Sequence, residues 1–220
     1  MELIEGIQTR KSYRAFKSMP VAKETIEKIL EVAARSPSYT NTQPWEVAVI
    51  SGAKRDELRA ILKGLAESGQ PPTPDIPQPK EWPPSINQRA KEHGSRRYDV
   101  MGIARDDKKR RREMMMANFD FYDAPCVVFV FQENVLPAWS IYDAGAFCQT
   151  LILAAHAFGL GSCLQASLGN YPDAVRNFLG IPGTKRLVLG ISLGYPDMDA
   201  LINQYESGRV PLSEFVRWYL

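Results

Sequence analysis

Two short groups of residues carry side chains that could do chemistry. Arg10-Lys11-Ser12-Tyr13-Arg14 places three cations and a hydroxyl close together. Guanidinium forks match phosphate oxygens in bidentate fashion, so this cluster is a candidate anion cradle. Its plain reading is a set of cations complementing the C-terminal dipole of a short helix over residues 2–9. The second group is the loop Pro37-Ser38-Tyr39-Thr40-Asn41-Thr42-Gln43-Pro44-Trp45. Its amide and hydroxyl groups are dense enough to read the edge of a heterocycle. Its plain reading is a helix-to-strand connection built of turn formers.

Other catalytic devices are missing. Gly159-Leu160-Gly161 begins like a dinucleotide fingerprint but lacks the third glycine and the strand-then-helix order. There is no Walker loop and no Cys-x-x-Cys pair, and His93 and His156 are the only histidines. A zinc site would therefore need scattered cysteine partners. No nucleophile elbow supports a Ser-His-Asp triad. His156, on an apolar helix, reads as a hydrogen-bonded core residue rather than an acid-base group. The run Lys108-Lys109-Arg110-Arg111-Arg112 is flanked by Asp106, Asp107 and Glu113 and reads as a solvated helical face. With 27 Lys+Arg against 25 Asp+Glu, the net charge is only +2. That balance argues against a protein whose main task is holding nucleic acid.

The elements that must position these groups are legible in outline. A chain of 220 residues, 45% hydrophobic and 24% charged, is one domain with a real core. Ile26, Ile29, Leu30 and Ala33 follow helical spacing and predict an amphipathic helix over 22–35, stopped at Ser36-Pro37. A strand is expected at Trp45–Ser51 and a helix over 53–67. Gly69–Pro84 holds seven of the 16 prolines, so it is neither a helix interior nor a central strand. Loops of that length are usually lids or binding loops. A charged helical stretch from Ile86 to Met116 follows, then a strand over Cys126–Gln132.

A buried helix, wrapped by protein on all sides, is expected over about 138–158. After it come a short strand at Ser162–Gln165, a helix over 172–179 and a strand over Arg186–Leu193. Near-continuous apolar strands alternating with helices predict a mixed α+β class, with the sheet covered on both faces. Ala144–Leu164 has the length of a membrane span, but polar and glycine interruptions and missing basic anchors argue for no membrane segment. Cys126, Cys148 and Cys163 read as buried, reduced thiols, and the N-terminus lacks secretion features. A cytoplasmic protein is expected. The apolar tail Arg209–Leu220 is expected to dock rather than fray.

Five motifs occur in a characteristic order: Arg-x-Ser-x-Arg at 10–14, Pro-Ser-x-x-Asn-x-Gln-Pro-Trp at 37–45, Ala-Pro at 124–125, Gly-Tyr-Pro at 194–196, and Arg209-x-Pro-Leu. Together they resemble the flavin-dependent nitroreductase family over essentially the whole chain except about 68–115. The resemblance implies a single domain, 1–220, with a variable insert at about 69–115 and a mainly antiparallel sheet covered by helices. It also implies a homodimer that exchanges its C-terminal strands and builds each of two FMN sites from both subunits.

Matched by position, Arg10, Lys11, Ser12 and Arg14 resemble the residues that grip the FMN phosphate and pyrimidine side. Arg209 resembles the C-terminal phosphate ligand. Pro37, Ser38, Tyr39 and Asn41 resemble the segment presented by the partner, and Gln165 and Ala166 fall where backbone groups meet the flavin near N5. Some members carry a lysine where Ser207 stands here, and no flavin ligand aligns onto 68–115.

The implied activity is ping-pong transfer from NADH or NADPH through FMN to a small nitroaromatic or quinone-type acceptor. The flavin carries the chemistry, so no catalytic side chain is assigned. Another FMN reaction, such as reductive dehalogenation or enone reduction, and a non-enzymatic flavin-binding role are the alternatives. Trp82 and Tyr98 are the expected aromatic contacts of a lid over the acceptor.

Overall fold

β-strands that are apolar on both faces need a helical layer on each side, and the chain supplies both. The computed structural model describes residues 1–220. Eight helices are formed: α1 (Leu3–Thr9), α2 (Lys23–Ala33), α3 (Gly52–Glu67), α4 (Pro84–Val100), α5 (Lys108–Met116), α6 (Trp139–Ala157), α7 (Pro172–Leu179) and α8 (Leu201–Gln204). Four strands, β1 (Glu46–Ser51), β2 (Cys126–Glu133), β3 (Gly161–Gln165) and β4 (Lys185–Gly194), form one sheet in the order β1-β2-β4-β3. Every pairing is antiparallel.

β2 shows why the sheet sits where it does. Its residues Cys126 to Phe131 are all fully buried. Side chains alternate across a strand, so Cys126, Val128 and Val130 pack with Ile29 of α2 and Phe147 and Leu151 of α6. Val127, Phe129 and Phe131 face the opposite core, with Leu58 and Leu62 of α3 and Val175 of α7. The mixed α+β class, the antiparallel sheet and the helical cover on both faces agree with the sequence reading.

Three features differ from expectation. The charged stretch from Ile86 to Met116 is two helices, α4 and α5, broken where Gly102 takes φ +59°. Asp107 then caps α5 by accepting from the Arg110 amide at 3.0 Å. α6 is not wrapped on all sides within one chain: Tyr142, Gly145 and Gln149 form an exposed, uncharged stripe, and Trp139 is exposed just before it. The proline-rich segment is pinned along its first half. The Thr73 amide donates to the Asn170 carbonyl at 2.9 Å, and Asp75 pairs with buried Arg176 while accepting from the Leu187 amide at 2.7 Å. A free lid would lack such anchors.

Residues 205–220 join no strand of their own chain, and Leu212, Phe215, Trp218, Tyr219 and Leu220 are exposed. No helix is long and apolar enough to cross a membrane.

Candidate functional site

α1 ends at Arg10, and the chain then runs as a strap along the outer edge of β3. Ser12 bridges Ser162 in parallel, and the Tyr13 amide donates to the Ser162 carbonyl at 3.0 Å. The approach is close: a Cβ at Gly161 would come within 2.8 Å of the Tyr13 ring. Glycine is required there for steric reasons. Buried Asn203, on α8, fastens the next residues. Its Oδ1 accepts from the Arg14 amide at 2.7 Å, and its Nδ2 donates to the Ala15 and Asp197 carbonyls, each at 2.8 Å. Extended backbone sends Arg10, Ser12 and Arg14 to one side and buries Tyr13 on the other. Lys11 leaves this row, and its ammonium lies 5.7 Å from the centre of the Tyr13 ring.

Cations from three segments converge here. Burial and then the neighbouring Arg209 depress the pKa of Arg10, which places the N-terminal and C-terminal arginines side by side. α4 brings His93, Arg96 and Arg97 to the same region. His93 Nδ1 lies 2.8 Å from the Tyr205 hydroxyl. Burial holds the His93 pKa below its ordinary value, with Arg97, Arg14, Arg209 and Arg96 adding to the effect.

Arg96 pairs with Glu92 at 3.3 Å, whereas Arg10, Arg14, Arg97 and Arg209 have no acidic partner. Arg209 donates only to Ser207 and to the Gly208 carbonyl, and Arg14 only to the Ser12 carbonyl at 3.5 Å. The Nε atoms of Arg14 and Arg97 are buried without a hydrogen-bond partner. Buried donors left unpaired are costly, so this arrangement calls for an anionic or carbonyl-rich ligand.

The floor beneath is neutral. Burial pushes the Cys163 thiol up against the opposing pull of Arg14 and Arg97, so it is no nucleophile. Tyr122 is likewise shifted up by burial, and its hydroxyl donates to Asn118 Oδ1 at 2.8 Å. Phe121, Tyr122 and Asp123 all have φ between 53° and 60°. Three consecutive left-handed residues are a strained turn, and it sets Tyr122 in place. Arg14, Arg97 and Tyr122 share a 220 Å³ cavity with Met101, Ile103, Met114 and Ile202.

The basic run on α5 is more than a solvated face. Arg110 donates to the Met101 and Gly102 carbonyls at 3.0 and 2.9 Å, and Arg111 stacks 4.1 Å from the Tyr98 ring centre.

The second group of residues stands elsewhere. Its turn at Tyr39–Asn41 uses left-handed backbone at Thr40 and Asn41, and Ser38 Oγ accepts from the Gln43 amide at 2.9 Å. Asp143, near the N-terminal end of α6, accepts from the Tyr39 amide at 3.1 Å, and Tyr39 stacks on Trp139. The Arg10 end of the strap instead meets the C-terminal end of α6, where Thr9 Oγ1 is 2.9 Å from His156 Nε2. His156 is hydrogen-bonded as expected, at the edge of the core.

Asp143 and His156 are 13 residues apart on one helix, which is about 20 Å. Within one chain, Pro37, Ser38, Tyr39 and Asn41 therefore do not meet the Arg10 cluster.

The Gln165 side chain points inward, donating to the Asn118 carbonyl at 3.0 Å and bonding Ser192, so only its backbone is free for a ligand. Ala166 is exposed at the end of β3. Trp82 is exposed just ahead of α4, and Tyr98 lies under Arg111. The structure brings together Arg10, Ser12, Arg14 and Arg209, and adds Arg97, His93 and Asn203, which the sequence reading missed. The spacing of His93, Arg96 and Arg97 on one helical face is the signal that could have found the α4 residues.

Residues 7–195 match the model of the nitroreductase family. Nitroreductase NfnB of Mycolicibacterium smegmatis is 39% identical over 213 residues, covering 96% of this chain and 90% of that protein. A 4-nitrobenzoate reductase of Pseudomonas putida is 32% identical, covering 92% of this chain and 89% of that protein. The crystal structure of FMN-dependent NfnB from Mycobacterium smegmatis in complex with NADPH aligns with a TM-score of 0.94 at 37% identity, over 99% of this chain and 97% of that one. The FMN and NADPH-dependent nitroreductase NfnB from Sphigopyxis sp. strain HMH aligns with a TM-score of 0.97 at 28% identity, over 100% and 99% of the two chains. By sequence match and by fold, the chain belongs to the nitroreductase family.

Proposed function

We propose that the chain is a homodimeric FMN enzyme that takes electrons from NADH or NADPH and reduces nitroaromatic or quinone-type acceptors. One observation carries the reading: a row of arginines with no acidic partner, two of whose buried Nε atoms have no acceptor. When bound, FMN supplies the two-electron redox chemistry. Arg10 and Arg209 hold its phosphate through charge-assisted bonds, with the Ser12 hydroxyl beside them. Lys11 adds positive charge from its place over Tyr13.

Arg14, with its unpaired Nε, faces the pyrimidine side, where a fixed cation stabilises negative charge developing on the ring. The backbone at Gln165 and Ala166 orients the N5 edge, and no catalytic side chain is needed. Trp82 and Tyr98 are the proposed aromatic contacts of the acceptor, and Trp82→Ala raising the acceptor KM several-fold tests this.

A second copy completes the site. Two-fold pairing through the exposed α6 stripe, with the axis perpendicular to the helix, lays the N-terminal end of one helix beside the C-terminal end of the other. The partner's Pro37, Ser38, Tyr39 and Asn41 then reach the cation cluster from which the chain's own loop is separated by about 20 Å. The exposed apolar tail adds to the partner's sheet. The outer edge of β3 is covered by the strap, whereas that of β1 is open to receive a strand. Three free, buried cysteines fit a reducing compartment, and the cytoplasm is the proposed location.

The test is purification followed by two measurements: FMN per subunit, and NADH or NADPH oxidation with and without nitrobenzene. One FMN per subunit and acceptor-dependent oxidation support the reading. A colourless protein that binds no added FMN overturns it.

A further inference from the structure

We propose that Gln165 is a positioning residue: its buried side chain holds the Gln165–Ala166 peptide in the one place from which it orients the flavin for reduction by the nicotinamide. This role rests on the flavin reading above but is independent of the arginine cluster. Gln165 closes β3 with its side chain inside and only 2% exposed, while Ala166 beside it is exposed. A primary amide is costly to bury, and a methionine of similar length would fill the space without needing partners.

Gln165 has partners at both ends of its amide. Nε2 donates to the Asn118 carbonyl at 3.0 Å and lies 3.4 Å from Asn118 Oδ1, and Oε1 meets the Ser192 hydroxyl. Ser192, wholly buried on β4, also donates to the Phe121 carbonyl at 2.9 Å, so one hydrogen serves two acceptors. These contacts tie Gln165 to the left-handed turn at Phe121–Asp123. α3 clamps that turn from outside: Lys63 pairs with Asp120 at 2.9 Å, Arg59 with Asp123 at 3.1 Å, and Arg55 donates to the Ala124 carbonyl at 2.8 Å. Beyond Ala166, buried Leu168 packs so closely on β4 that a Cβ at Gly190 would come within 2.5 Å of it. The exposed Ala166 is bracketed by two fixed neighbours.

Packing accounts for Phe121 and Tyr122, which fill separate cores. It does not account for an amide at 165. A hydrogen-bonded buried network selects one geometry where apolar contacts tolerate several. Reaction geometry is sensitive on that scale, since a displacement of about 1 Å can cost about 100-fold in rate.

Gln165→Met keeps the length of the side chain and removes both of its anchors. Stopped-flow bleaching of the FMN-loaded protein by NADPH or NADH is expected to show a limiting rate at least tenfold below wild type. The half-saturating nucleotide concentration and the FMN Kd should stay within threefold. In the apoprotein, amide hydrogen exchange at residues 165–167 should be at least tenfold faster, with β2 unchanged. Ser192→Ala removes one anchor only and should shift both readouts the same way by a smaller factor, at least threefold in rate, so it decides the matter if the methionine variant does not fold. A lower Tm with the limiting rate and the exchange at 165–167 unchanged would make Gln165 structural only and overturn the inference, leaving the flavin reading intact. Wild-type protein that binds no FMN would overturn both.

Discussion

Replacing Arg10 by Ala separates a ligand-holding role from a structural one. Arg10 forms no ion pair within the chain, and both burial and Arg209 disfavour its charged form. A base whose pKa is depressed on folding is less favourably charged in the folded state than in the unfolded chain. Removing it therefore leaves the apoprotein as stable as wild type, or slightly more stable. FMN binding responds in the opposite direction. A lost charge-assisted bond is worth about 1.5–3 kcal/mol, which is about 10- to 150-fold in Kd.

The assay is fluorescence titration of the apoprotein with FMN and, in parallel, with riboflavin, which has no phosphate. Affinity for FMN should fall within that range, while affinity for riboflavin changes by less than about threefold. Equal losses for both ligands would refute the phosphate assignment. So would a fall of several degrees in the Tm of the apoprotein, which would make Arg10 a structural residue.

Asp75→Ala removes a partner of buried Arg176, although Asp173 and the Lys185 carbonyl still hold that guanidinium. A cost of about 3 kcal/mol, at the low end for a broken buried pair, should lower the Tm by about 6–12 °C, measured by calorimetry. Truncation after Val210 keeps Arg209 but removes Leu212, Phe215, Trp218, Tyr219 and Leu220, and light scattering should then report monomer. A truncated chain that stays dimeric would contradict the docking of the tail. His93 and His156 are both held low by burial first, and then by neighbouring arginines. Between their folded values and about 6.5 the unfolded chain binds more protons, so apoprotein stability falls as pH drops through that interval. A Tm that is flat from pH 7.5 to 5.5 would contradict this.

Much of this architecture was legible because local and global signals agree. The apolar run at Cys126–Phe131 is short, rich in valine and phenylalanine and bounded by Ala124-Pro125, which favours a strand buried on both faces, and Ile26, Ile29 and Ala33 share one helical face suited to a core. The placing of Arg10, Ser12 and Arg14 together on one strap was readable for a similar reason: residue type and alternate spacing point the same way. Arg97 and His93 were not, because their meaning depends on where α4 lands relative to Arg14 and Arg209. The pinning of the proline-rich segment depends on Asp75 meeting Arg176, 101 residues away in sequence. Nor could sequence alone show that the Tyr39 loop and the Arg10 strap sit at opposite ends of α6. That separation follows from the length of one helix, and it is why the proposed site draws on a second subunit.

The most direct test of the central claim is a two-step anaerobic titration of the purified protein, followed by its flavin absorbance. Adding NADPH or NADH should bleach the oxidised flavin band with about one equivalent per subunit. After removal of excess nucleotide, adding nitrobenzene or 4-nitrobenzoate should restore the band in full. Failure of both nucleotides to bleach the band, or of every nitroaromatic to restore it, would contradict the proposed activity.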